Sequence, residues 1–172
     1  MNAFHITWVT HNSRVSERMK KYKVEKGPSV ILGESEEAEI LSYISDVIKE
    51  DNLKILAFNI CRDHVHMLLV CKDEERDGIV QKLKSVSSRK FNLARKHNKL
   101  TNTVEQGVMT PCSKTNRSLW AQKYNRTAVL TDEQLAATYE YITHNRLKHR
   151  LNENKKLKAT IEEMLTPYDK IF

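Results

Sequence analysis

At 172 residues the chain fits one domain with a normal core, and no break in composition argues for two. Hydrophobic residues make up 40%, charged residues 30%, and there are only four glycines, the balance of a soluble, helix-rich globular protein. The formal charge of +7 and a pI near 9.3 point to a polyanion or an anionic surface as partner. Cys61, Cys71 and Cys112 are odd in number and lack CxxC spacing, which excludes a disulfide framework or a structural zinc site and fits a reducing cytosol. The N-terminus has no basic region followed by an apolar run. No stretch approaches the roughly 18 apolar residues of a membrane span, so a cytoplasmic protein without membrane contact is expected.

In chain order, Phe4 to Thr10 alternates and reads as a first strand. Residues 11–33 are polar and basic around a Gly27-Pro28 turn, with a short hairpin from Val24 and Val30-Ile31-Leu32 as an option. Glu34 to Asn52 reads as a helix capped by Ser35, with early acids at the positive end of its dipole and Lys49 near the negative end. Lys54 to Ile60 reads as a strand, Arg62-Asp63 as a tight turn, and His64 to Val70 as the returning antiparallel strand. A second helix spans about Glu75 to His97, and residues 98–118 look like an irregular connection. Trp120 to Leu130 has strand character. Thr131 then caps a third helix running through Tyr139, Ile142 and Asn145, and Leu157 to Leu165 can form a last short helix. This order builds a ferredoxin-like α+β fold: an antiparallel sheet with helices packed on it and the His64–Val70 strand central. It gives one domain over residues 1–150 and a basic tail over 151–172.

Two residues interrupt the apolar run Asn59–Val70. His64 and His66 are two apart, so in a strand both rings leave the same face, where they can grip a divalent ion or a phosphate. A lone buried histidine is usually a hydrogen-bonded core residue, but burying two on one face costs desolvation unless something uses their nitrogens. Further on, Tyr141 and Asn145 are four apart and share a helix face. Tyrosine is a poor nucleophile near neutrality, with a pKa of about 10, and needs a polarised target or a nearby base. Asn145 can supply an oxygen to an ion site that two imidazoles begin. Each residue also has a plain reading, Tyr141 as a core aromatic and Asn145 as a helix C-terminal residue.

The run HVHMLLV resembles the HUH motif (His, hydrophobic, His) of single-tyrosine transposases, and SLWAQKY followed by a helix bearing YITHN resembles their tyrosine helix. The combination is most similar to REP-associated tyrosine transposases and spans about residues 4–150. The resemblance implies an enzyme with Mg²⁺ or Mn²⁺ held by His64, His66 and Asn145. In it Tyr141 attacks a phosphodiester of single-stranded or hairpin DNA, leaving a 5′-phosphotyrosyl enzyme and a free 3′-OH. It implies a dimer or a monomer and leaves that choice open. Arg146 departs from the Asn-Pro ending common in that helix. Tyr139 is a rival nucleophile, yet it points about 200° around the helix from Tyr141.

The surplus charge nominates DNA contacts: Lys82, Lys84, Arg89, Lys90 and Arg95 on the second helix, and Lys114, Arg117, Lys123 and Arg126 before the tyrosine helix. Trp120 and Tyr124 are candidates for stacking on bases, and Trp120 equally for the core. Two other functions remain open on sequence: a non-catalytic nucleic-acid-binding module of the same fold, and a metal-dependent nuclease that activates water. A 2H-type phosphoesterase would need a second HxT/S element, and no convincing partner is present.

Overall fold

The computed structural model describes residues 1–15, 17–106 and 118–171, with residues 98–106 by backbone alone. Alternation in β1 (Asn2–Val9) sends Phe4, Ile6 and Trp8 to one face of a sheet and Ala3, His5 and Thr7 to the other. After a short helix α1 (Glu17–Lys21) comes α2 (Glu34–Glu50), then the hairpin β2 (Lys54–Cys61) and β3 (His64–Cys71). The long α3 (Asp73–Gln106) leads back to β4 (Asn125–Val129). All neighbouring strands are antiparallel in the order β2-β3-β1-β4. This βαββαβ path is the ferredoxin-like arrangement, and β3 is central and buried along its whole length.

The two faces of the sheet differ in kind. Ile40, Leu41, Ile44, Val47 and Ile48 of α2 and Val80, Leu83 and Phe91 of α3 pack on one face against Phe4, Ile6, Trp8, Phe58, Ile60, Val65, Met67 and Leu69. The other face offers only a small apolar patch: Ala3, Leu56, Ala57, Leu68 and Val70. Ile142 of α4 (Asp132–Thr143) sits on that patch, and α4 touches β2 and β3. A helix with one fully buried residue has little apolar area to hold it, so polar contacts must add to the docking. Asn59, buried on β2, donates from Nδ2 to the Ile142 carbonyl at 2.8 Å, satisfying a group the helix end leaves open.

Beyond α4, α5 (Asn145–Lys148) continues almost without interruption, and α6 (Lys155–Met164) inserts Leu157 and Met164 into the main core. Asn154 caps α6 by accepting from the Lys156 and Leu157 N–H groups. Thr166 then meets the edge strand at its bulge, its N–H donating to the Ile55 carbonyl at 2.8 Å and its hydroxyl accepting the Ile55 N–H at 3.3 Å. No helix among the described residues is long and apolar enough to cross a membrane.

Several local expectations need correction. Gly33, not Ser35, is the N-cap of α2, and the Glu36 carboxylate accepts the Gly33 N–H at 3.0 Å. The Val24/Val30–Leu32 hairpin does not form: this stretch is irregular, tied by Val30 N–H to the His11 carbonyl and Leu32 N–H to the Arg62 carbonyl. Residues 98–106, expected to be irregular, continue α3. Strand structure over 120–130 shrinks to β4, while Trp120 only bridges Thr10. Trp120 is 4% exposed, meets Trp8 edge-on at 6.0 Å and donates to Ser87, which makes it a core residue and not a base-stacking platform.

Replacing Asn59 tests how α4 is docked. Asn59→Ala should lower the unfolding free energy in urea by about 1–3 kcal/mol and speed amide exchange at the end of α4. Unchanged exchange there would show that apolar contact alone holds the helix.

Candidate active site

Strand pairing builds the floor of the site. β1 and β3 place Thr7 opposite His66 and Val9 opposite His64, and β2 places Asn59 on the other side of His66. Because β3 alternates, Val65 and Met67 enter the main core while His64 and His66 leave the opposite face, the one α4 covers. Both rings are buried, at 2% and 7% exposure, with centroids 5.0 Å apart.

Each ring is oriented through Nδ1. The Asp63 carboxylate lies 2.6 Å from His64 Nδ1 and, having no proton to give when ionised, accepts it. That leaves the Nε2 lone pair of His64 facing Asn145 Oδ1 at 3.0 Å. Two acceptors this close are reconciled by a proton or a cation between them. Donor atoms about 2.1 Å from a shared octahedral ion lie about 3 Å apart, so this edge fits a small divalent cation. Asn145 is fully buried, its Nδ2 has no partner among the described residues, and Cys61 Sγ donates to its Oδ1 at 3.4 Å. His66 Nδ1 meets Thr7 Oγ1 at 2.9 Å and His5 Nε2 at 3.0 Å, which leaves its own Nε2 for another use. Among the described residues no group of three histidine, cysteine or carboxylate side chains forms a metal site. The candidate donor set is two imidazoles and a carboxamide.

Tyr141 belongs to the same cluster. The residue is 40% exposed, and its ring stands edge-on to His66 at 5.3 Å and to His5 at 5.8 Å. α4 ends at His144, but the His144 N–H bonds to Glu140 and the Lys148 N–H to His144, so helical geometry persists across the junction. Tyr141 and Asn145 therefore stay on one face. Tyr139 borders instead an apolar cleft with Leu68, Leu135, Leu165 and Pro167.

Five residues that sequence reasoning passed over complete the surroundings. His5 and Thr7 come from β1, Asp63 from the β2–β3 turn, and Lys148 and His149 from the end of α5. Lys148 Nζ is 4.8 Å from the Tyr141 ring centre, and the His149 ring is 4.8 Å from His64. The alternation in Phe4–Trp8 was the available signal for His5 and Thr7, and His149 lies one turn after Asn145. Burial pushes His66 down to about 3, helped by the charges that His64, His5, His149 and Arg14 can carry. Desolvation also lowers His5, and desolvation followed by His64 lowers His149. Neutral imidazoles keep their lone pairs available as ligands.

The cations nominated for DNA lie elsewhere. α3 packs on the far face of the sheet, where Lys82 pairs with Asp51 at 2.7 Å, Lys90 with Asp46 at 2.9 Å and Arg95 with Glu36 at 2.8 Å. Lys84 donates to the Gln122 and Lys123 carbonyls. Arg126, opposite Ile6, also points to that face and lies 3.5 Å from Asp77, whose carboxylate accepts the Tyr124 hydroxyl as well. Arg89 and Lys123 are exposed, and Lys114 and Arg117 lie outside the described residues.

The profile of the family described as "Transposase IS200 like" matches residues 3–145. No curated protein matches the chain. Solved structures similar to it include two transposases. One is a REP-associated tyrosine transposase bound to a REP hairpin, 15% identical, with 86% of this chain and 68% of that chain covered at a TM-score of 0.49. The other is a candidate transposase of Deinococcus radiodurans R1, 19% identical, with 83% and 88% covered at a TM-score of 0.43.

The depressed His66 value makes the metal-free fold acid-sensitive. Its folded value lies below the unfolded 6.5, so the unfolded chain binds more protons as pH falls, and stability present above pH 6.5 is lost progressively toward about 3. His5 and His149 act with the same sign. Urea midpoints should fall from about pH 7.5 to about pH 5, and His66→Gln should flatten that slope. A slope equal to wild type in this variant would remove His66 as its source.

Proposed function

The chain belongs to the IS200-like transposases, and we propose that it is a divalent-metal-dependent nickase and strand transferase that cuts and rejoins single-stranded or hairpin DNA through Tyr141. The observation that carries this reading is the convergence of His64 and His66 from β3 with Tyr141 and Asn145 from α4–α5, all within one chain. A bland core offers no reason for a half-exposed phenol, two buried imidazoles and a buried carboxamide to meet beside unpaired lone pairs.

In the proposed reaction the Tyr141 oxygen forms a bond to the phosphorus of one phosphodiester as the bond to the 3′ oxygen breaks. The phenol proton passes to solvent and the departing 3′ oxygen takes one up, giving a 5′-phosphotyrosyl enzyme and a 3′-OH. A 3′-OH from the same or another strand reverses the exchange, so the bond energy is conserved and no nucleotide cofactor is required. His64, His66 and Asn145 would hold Mg²⁺ or Mn²⁺, whose contribution when bound is to polarise the phosphate under attack. Asp63 and Thr7 keep the two rings turned so that their Nε2 atoms face the site. Lys148 places positive charge beside the Tyr141 ring, where a phosphate would arrive. The net charge of +7 suits a polyanionic substrate, and Arg89, Lys123 and Arg126 are the surface cations proposed for more distant phosphate contacts.

Incubation with an end-labelled hairpin oligonucleotide and Mn²⁺ should give a covalent adduct that survives denaturing electrophoresis. Tyr141→Phe should abolish it, Tyr139→Phe should retain it, and His66→Ala should remove it. Cleavage that persists in Tyr141→Phe but disappears in His66→Ala would replace this reading with a metal-activated water.

On this reading one chain supplies both the histidines and the tyrosine of a site, so a mixture of Tyr141→Phe and His66→Ala should not regain adduct. Recovery in the mixture would place the tyrosine in the site of a second copy.

A further inference from the structure

Arg146 directly follows Asn145 and is held far more tightly than a surface arginine. Its Nη1 donates to Glu37 Oε2 at 2.7 Å and to the Ile60 carbonyl at 2.8 Å, and its Nη2 donates to the Asn152 carbonyl at 3.3 Å. The two side chains are 13% and 2% exposed, so this ion pair is largely withdrawn from solvent. Glu37 sits in the first turn of α2, on the face of the sheet away from the histidines. One guanidinium thus joins that helix, the end of β2 and the chain leaving α5.

The placement bears on the site because it repeats one residue earlier. Ile60 accepts from Arg146, while its neighbour Cys61 donates to Asn145 Oδ1. Two consecutive residues of β2 therefore grip two consecutive residues of α5. On the far side, the Arg146 carbonyl accepts the Leu151 N–H at 3.0 Å, closing the turn in which Arg150 takes a φ of 53°. α5 has one fully buried side chain, Asn145 itself, and gains no apolar anchor from the core. The hydrogen bonds at residue 146 thus add to those of Asn145 in fixing α5 on the sheet. Burying an arginine and a glutamate together adds little net stability over an apolar pair of the same volume, and directional bonds to a backbone carbonyl are the property an apolar pair lacks.

We infer that Arg146 and Glu37 are a positioning pair that holds Asn145 Oδ1 against His64 and thereby sets the divalent-ion affinity of the site. The inference rests on the reading of His64, His66 and Asn145 as ion ligands.

The test uses the full chain without DNA. Mn²⁺ binding is followed by the electron paramagnetic resonance of the free ion in wild type, Arg146→Lys and the paired replacement Glu37→Leu/Arg146→Met, which removes both charges and so avoids leaving one buried alone. The paired variant should keep its far-UV spectrum yet bind Mn²⁺ about tenfold more weakly, as loss of an outer-shell partner does, with Arg146→Lys between it and wild type. Affinity in Arg146→Lys and in the paired variant within about twofold of wild type overturns the inference. The same proteins are compared metal-free by the ¹⁵N resonances of the His64 ring. These should shift in both variants, because Asn145 has moved, and unchanged resonances overturn the positioning role whatever the Mn²⁺ result. Shifted resonances in a protein whose wild type binds no Mn²⁺ overturn the ion reading alone.

Discussion

The contact between His64 Nε2 and Asn145 Oδ1, 3.0 Å long and sealed from solvent, is the point on which the molecule's arrangement depends. It joins the central strand to the helix that carries Tyr141. Asp63 holds the ring through Nδ1, and Cys61 Sγ donates to the carboxamide oxygen from the other side. A buried contact between two acceptors is unfavourable by itself. A cation or a proton between the two atoms relieves it.

The asymmetry of the sheet explains how such a contact can exist. One face carries nearly all the apolar area and is covered by α2, α3 and α6. That leaves the other face free to hold four imidazoles, a threonine and two buried amides without forfeiting the core. α4 and α5 are consequently docked through polar contacts: Asn59 to the Ile142 carbonyl, Asn145 to His64, Arg146 to Glu37 and Ile60. Polar docking is directional where apolar docking is tolerant, and a site that must place a phenol beside two rings gains from direction.

How much of this was readable in advance follows the range of each interaction. The strand period of two put His64 and His66 on one face, and the helix period put Tyr141 with Asn145; both hold, the second even across the junction at His144. The ferredoxin-like order followed from the alternation of strands and helices. The alternation of β1 puts His5 and Thr7 on one face, but only the pairing of β1 with β3, some sixty residues away, brings them to His66. The cations of α3 were visible as charge but not as intramolecular pairs, since their acids, Glu36, Asp46 and Asp51, belong to α2 and its C-terminal end. Arg146 counted as a departure from a motif, whereas its bonds to Glu37 and Ile60 give it a use that local sequence cannot show.

In the proposed arrangement a strand and a distant helix build one ion site beneath Tyr141. The most direct measurement is an anomalous difference map from crystals of the protein grown with Mn²⁺. A single strong peak is expected within bonding distance of His64 Nε2, His66 Nε2 and Asn145 Oδ1. A map with no peak there, or with Mn²⁺ bound only elsewhere on the surface, would contradict it.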